Sequence, residues 1–160
     1  SIRIYGTPIT HSKYPTSERV TAIKREEDAY GMTTLAAYDR FARQVEATKR
    51  DLLDVLIGLK RQGKKIVGYG APGKGNTLLN YCGIRQDFLD YTVDRNPYKQ
   101  GKYTPGTHIP ILDPKVIKET RPDYVLILPW NLRDEVMEQN RYVREWGGRF
   151  IVPIPKAEII

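Results

Sequence analysis

Residues 65–76 constrain the fold of this chain more than any other stretch: Lys65-Ile66-Val67-Gly68-Tyr69-Gly70-Ala71-Pro72-Gly73-Lys74-Gly75-Asn76. A short apolar strand empties into glycines, and the chain then resumes as a helix. Glycine permits backbone conformations and close approaches that a β-carbon forbids, so consecutive N–H groups can converge on an anion at the positive end of the helix that follows. The stretch predicts a strand-to-helix turn of the kind that binds phosphate.

Gly68, Gly70 and Gly73 match the dinucleotide fingerprint G-x-G-x-x-G, and Asp94 lies 24 residues beyond Gly70, at the end of the next apolar segment, Leu89-Asp90-Tyr91-Thr92-Val93. Gly68 through Lys74 also reads as most of a P-loop, but Gly75 stands where that motif needs a magnesium-holding Ser or Thr. An ATPase or GTPase is therefore excluded. Pro72 departs from the usual dinucleotide loop, because it removes one N–H from the cradle and stiffens it. That weighs against NAD, although an NAD-binding oxidoreductase domain remains one alternative. A tight turn that binds nothing is another.

Downstream of the glycines, strand-like and helical stretches alternate. Ile66–Tyr69 leads to a helix over 74–82, then to a strand over 91–93, a loop, and the short apolar run His108-Ile109-Pro110-Ile111. Asp113 reads as the cap of a further helix with Pro114 at its first position. The continuous apolar strand Tyr124–Leu128 is followed by a helix over 131–146 and a last strand, Phe150-Ile151-Val152. Apolar strands separated by helices mean a parallel sheet covered on both faces. The expected fold is α/β: a Rossmann-like, three-layer parallel sheet of about four to five strands, preceded by a long helix. Ligands in such sheets sit outside the carboxyl ends of the strands, so Gly70–Gly75, Asp94–Lys99 and Pro129-Trp130-Asn131 are expected to be neighbours.

The long helix is read over 33–62, capped by Thr33 or Thr34, with Leu35, Tyr38, Ala42, Val45, Leu52, Val55, Leu56 and Leu59 at spacings of three and four. Tyr38, Val45, Leu52 and Leu59 recur every seven residues, which leaves a homodimer open, but Lys49 interrupts the other seam. Residues 1–32 read as a connector with one short helix over 18–29 and a strand-like opening, Ser1–Tyr5. The chain divides on this reading into a connector, 1–32, and a Rossmann-like domain, 33–160. The absence of an initiator methionine, with a strand that has no nearby partner, points to a fragment of a longer protein.

Composition narrows the function classes. With 160 residues and 40% hydrophobic content the chain can bury one sizeable core. It shows no membrane-length apolar run and no secretory signal pattern, so cytoplasm is the expected compartment. The net charge of +7 invites a nucleic-acid reading, but its basic residues are interleaved with acids and no nucleic-acid motif occurs. The local exception is Arg95, Lys99 and Lys102, just after Asp94. Cys82 reads as a small core residue, and with two histidines no metal constellation can be assembled.

Several strings in order then carry a resemblance. They are Gly68 through Tyr81, Asp94-Arg95-Asn96-Pro97-Tyr98-Lys99-Gln100-Gly101, Thr104-Pro105-Gly106-Thr107-His108-Ile109-Pro110-Ile111, Pro122-Asp123-Tyr124, Pro129-Trp130-Asn131-Leu132 and Gly147 through Pro155. Over residues 33–155 the chain resembles the C-terminal domain of the SAM-dependent C-methyltransferases, a family that includes enzymes acting on nucleotide-linked deoxysugars. The resemblance implies a larger enzyme with a zinc-binding N-terminal part and a central domain that binds SAM. Residues 1–5 would be the last strand of that central domain, and the catalytic residues would lie upstream, so none is expected in this chain, nor any cofactor or metal.

The contribution expected of this chain is to bind a nucleotide-linked sugar or a similar phosphorylated substrate. The candidates are Gly68, Gly70, Ala71, Gly73, Lys74, Gly75 and Asn76 for the anion turn. Asp94 is expected to accept from a ribose or sugar hydroxyl, and Arg95 and Lys99 to pair with phosphate. His108 is a candidate for the same mouth, with Trp130 and Asn131 as weaker ones. A domain that only braces its neighbours is a further alternative.

Overall fold

The computed structural model describes residues 3–11 and 15–160. Two compact units divide the chain, residues 1–44 and 45–160, and the division falls within a helix.

In the first unit, helix α1 spans Glu18–Tyr30, begun by Ser17, whose hydroxyl accepts from the Arg19 amide, and ended by Gly31 in the left-handed conformation. The division cuts helix α2, Leu35–Arg61, close to the 33–62 expected, so that its residues from Val45 onward belong to the second unit. Just before it, the Thr34 hydroxyl donates to the Gly31 carbonyl at 2.7 Å. The strand expected over Ser1–Tyr5 is corrected at Arg3–Tyr5, which have no regular secondary structure and are exposed; Ser1 and Ile2 lie outside the described residues. A strand forms only against a partner edge, and Arg3–Tyr5 have none among the described residues.

The second unit holds the sheet. Strand β1 (Ile66–Tyr69) runs into helix α3 (Gly73–Cys82), followed by β2 (Thr92–Val93), β3 (Ile111–Leu112), helix α4 (Val116–Thr120), β4 (Tyr124–Ile127), helix α5 (Arg133–Gln139), β5 (Arg149–Val152) and β6 (Glu158–Ile159). The strand order is β3-β2-β1-β4-β5-β6. The first five are parallel, and β6 adds an antiparallel edge, pairing Ile151 with Ile159. The sixth strand exceeds the four to five expected. Two residues long, it is too short for periodicity to reveal.

Alternate side chains of each strand enter opposite cores, and this produces the three layers. Ile66, Leu126 and Ile151 pack with Leu52, Leu56 and Leu59 of α2 and with Leu78 and Leu79 of α3. Val67, Tyr69, Val125, Ile127, Phe150 and Val152 pack on the other face with Ile117 of α4, Val136 of α5 and Val143. Leu52 and Leu59, half of the seven-residue repeat, are thus consumed by this domain's own core, while Tyr38 is exposed.

The helix expected over 131–146 is broken. A 3-10 turn at Trp130–Leu132 leads into α5, and a second at Arg141–Trp146 follows it. The break is at Asn140, buried with φ −113° and ψ 24°. Its side-chain amide donates to Val136 O at 2.8 Å and its oxygen accepts from the Tyr142 hydroxyl at 2.9 Å. Val136 O also accepts the Asn140 amide at 3.0 Å, so the ladder runs as far as Asn140 and the side-chain bonds hold the chain where it leaves the helix. At the expected Asp113 cap, the carboxylate does accept from the Lys115 amide at 2.8 Å, but regular helix begins only at Val116.

Candidate functional site

The chain reverses its direction of sheet growth at β1. From β1 it adds β2 and β3 on one side, and only β4 onward lies on the other. The loops leaving the carboxyl ends of β1 and β4 therefore diverge and leave a crevice where ligands of such sheets bind.

The loop from β1 to α3 is shaped by close backbone approaches. Gly70 has φ +85°, and a Cβ there would lie 2.7 Å from Pro129 Cδ, so this position needs glycine on both counts. Its amide donates to Val93 O at 2.6 Å, and its carbonyl accepts from the buried Thr92 hydroxyl at 2.8 Å. Ala71 is buried, and Pro72 stands at the cap of α3 without a capping side chain. A Cβ on Gly75 would come within 2.9 Å of Leu128 Cβ, so α3 leaves the sheet closer to β4 than a larger residue allows. Gly68 sits within β1, paired with Thr92.

Asp94 closes this arrangement from β2. One of its carboxylate oxygens accepts from the Ala71 amide at 2.8 Å and from Lys99 Nζ at 3.1 Å; the other accepts from the Asn96 amide at 2.9 Å. Lys99 also donates to Ala71 O at 3.0 Å, and Gln100 donates to Asp94 O at 2.9 Å. Burial opposes the charged form of Asp94. The amides of Asn96 and Ala71 and the Lys99 ammonium outweigh it, and its pKa falls below the ordinary 3.8.

At the start of α3 the amides of Gly73, Lys74 and Gly75 precede the first intrahelical bond, Asn76 N to Pro72 O, and have no acceptor among the described residues. The Lys74 side chain crosses the crevice. Its ammonium donates to Asn131 Oδ1 and lies 4.6 Å from the centre of the Trp130 ring. The side-chain oxygen of Asn76, buried behind this turn, has no partner among the described residues.

The three segments expected to be neighbours are therefore brought together, through Ala71 with Asp94 and Lys99, and through Lys74 with Trp130 and Asn131. Arg95 points elsewhere on the rim, donating to Gln139 of α5 at 3.0 Å. His108 is exposed, with φ +56°, and its side chain bonds none of the other candidates among the described residues. Its loop is tied to α3 instead, through Asn80 Nδ2 and Pro105 O at 3.0 Å. Thr92 and Gln100 are contributors that the sequence reading missed, because a threonine inside a strand and a glutamine in a loop carry no pattern. The described residues contain no His, Cys, Asp and Glu group that could hold a metal ion, and no helix long and apolar enough to cross a membrane.

Comparison with known proteins agrees with the resemblance. Residues 1–155 match the family model described as the C-methyltransferase C-terminal domain. The chain is 34% identical over its 160 residues to the C-methyltransferase NovU of Streptomyces niveus, and it spans 38% of that protein's length. Among solved structures, it is similar to UDP-D-quinovosamine 4-dehydrogenase from Vibrio fischeri, with 19% identity, a TM-score of 0.43, and coverage of 61% of this chain and 93% of that one. With the family model matching nearly end to end, this chain belongs to the C-methyltransferase C-terminal domain family.

Proposed function

We propose that this domain is the substrate-binding part of a SAM-dependent C-methyltransferase, and that its glycine turn holds the phosphates of a nucleotide-linked sugar or a similarly phosphorylated substrate. The observation that carries the reading is the set of three unpartnered amides at Gly73, Lys74 and Gly75, at the positive end of α3, together with the Lys74 ammonium held at Trp130 and Asn131. Backbone donors, a helix terminus and a lysine together favour an anion over a neutral group. Arg95, whose guanidinium meets the neutral Gln139 side chain, adds positive charge at the rim.

The turn does not fit SAM. That cofactor has no phosphate for the amides and Lys74 to hold, and the carboxylate that would meet its ribose, Asp94, is already bonded within the loop. SAM supplies a methyl group to a substrate carbanion when bound, and that chemistry belongs on this reading to an upstream domain. The isolated chain is then expected to transfer no methyl group.

Titration of the chain with a thymidine diphosphate sugar, NAD and SAM in turn, followed by chemical-shift mapping, tests the reading. Shifts confined to Gly70–Asn76 with the nucleotide sugar support it. Equal shifts there with SAM would sink the assignment of the turn.

A further inference from the structure

We infer that Asp94 is a positioning residue that locks the glycine turn, and that the site takes nucleoside diphosphates without reading the ribose 2′-hydroxyl. The inference rests on the phosphate-binding reading above but assigns its acid a different task. An acidic residue at the end of the second strand of such a sheet ordinarily accepts from ribose hydroxyls. Here the carboxylate is turned inward, toward its own chain.

A carboxylate offers about four acceptor positions. Three are occupied by the Ala71 amide, the Asn96 amide and Lys99 Nζ, all within 3.1 Å. The side chain keeps only 13% of its surface exposed, so little of it faces solvent or a ligand. A ribose hydroxyl could bond it only by displacing a backbone amide or the lysine, and the amide of Ala71 has no other acceptor among the described residues. The lock has a second strut. Lys99 joins the Asp94 carboxylate to the Ala71 carbonyl, so both polar groups of the Ala71 backbone are held by this pair.

The consequence for the ligand follows from what stays open. Gly73, Lys74 and Gly75 offer amides and an ammonium, which recognise phosphate oxygens and are indifferent to the sugar's hydroxyl pattern. Lys99, spent on the lock, is removed from the set of phosphate ligands, which leaves Lys74 as the cation at the turn.

Two measurements on the 160-residue chain decide this. The first compares uridine diphosphate with 2′-deoxyuridine diphosphate by calorimetry, and the two dissociation constants are expected to agree within about twofold. A tenfold or greater preference for the ribonucleotide, lost in Asp94→Asn, would overturn the inference. The second needs no ligand: in Asp94→Asn the amide of Ala71 is expected to exchange with solvent at least about tenfold faster, and Lys99→Met to move the same resonance. Unchanged Ala71 exchange in both variants would overturn the positioning role. If neither diphosphate binds while Ala71 exchange does change, the phosphate-binding reading and the ligand half of the inference fail, and the lock stands.

Discussion

The ammonium of Lys74 lies 4.6 Å from the centre of the Trp130 ring and donates to the neighbouring Asn131, so one side chain spans the crevice between the ends of β1 and β4. The contact holds the Lys74 ammonium against Trp130 and Asn131. It also makes Trp130 an internal reporter, because a cation over an indole face is a specific electrostatic contact. In a Trp146→Phe background Trp130 is the remaining tryptophan, since the chain has two.

In that background Lys74→Met is expected to change the Trp130 emission of the ligand-free chain and to weaken uridine diphosphate binding by roughly tenfold, the scale of one charge-assisted contact. Fluorescence titration reads both effects. Undiminished affinity in the variant would remove Lys74 from the site.

Two glycines of one helix turn should respond in opposite ways. Gly75→Ala pushes a methyl to 2.9 Å from Leu128 Cβ and 3.2 Å from the Pro72 ring, a packed environment with little room to give. A loss of about 1–3 kcal/mol is expected, as for other overpacked sites. Gly73→Ala meets nothing within 4 Å and should be neutral or gain up to about 1 kcal/mol from helix propensity. Urea denaturation of the two variants checks the contrast.

Stability should depend on pH through Asp94. Its folded pKa is held below its ordinary value, so the unfolded chain binds the proton first as acid is added. Its contribution is therefore complete above pH 3.8 and is lost as the pH falls below that toward the folded pKa. Asp94→Asn should cost about 1–3 kcal/mol at neutral pH, the scale of hydrogen bonds to a charged group. The gap between variant and native chain should narrow in acid, and denaturation curves across the acidic range measure it.

Cys82 should be inert in the folded chain. It is buried in the core between α2 and α3, and burial pushes its thiol pKa up against a smaller opposing effect of Lys49. Reaction with an aromatic disulfide reagent is expected to run at least about a hundredfold slower in the native chain than in concentrated urea. Rapid native labelling would mean that this core opens readily.

Much of the architecture was legible before any coordinates. Ile66–Tyr69 and Tyr124–Leu128 are apolar throughout because both faces of a parallel sheet are covered, and that pattern is local. The glycines mark the β1 turn for the same reason, since Gly70 and Gly75 sit where contacts with Pro129 and Leu128 exclude a β-carbon. The break at Asn140 was not legible, because it depends on a side chain reaching Val136 O and Tyr142 within a buried setting. Strand β6 escaped too: two residues acquire strand character only by pairing with β5.

The sequence by itself determined the family, the layered α/β plan and the identity of the residues gathered at the strand ends, because each is written in local pattern or motif order. Only the tertiary structure decided what those residues do to one another. Asp94 and Ala71 are 23 positions apart, and Lys74 and Asn131 are 57. No periodicity reports a hydrogen bond over such separations, because its geometry is set by how β1, β2 and β4 lie side by side in the folded sheet.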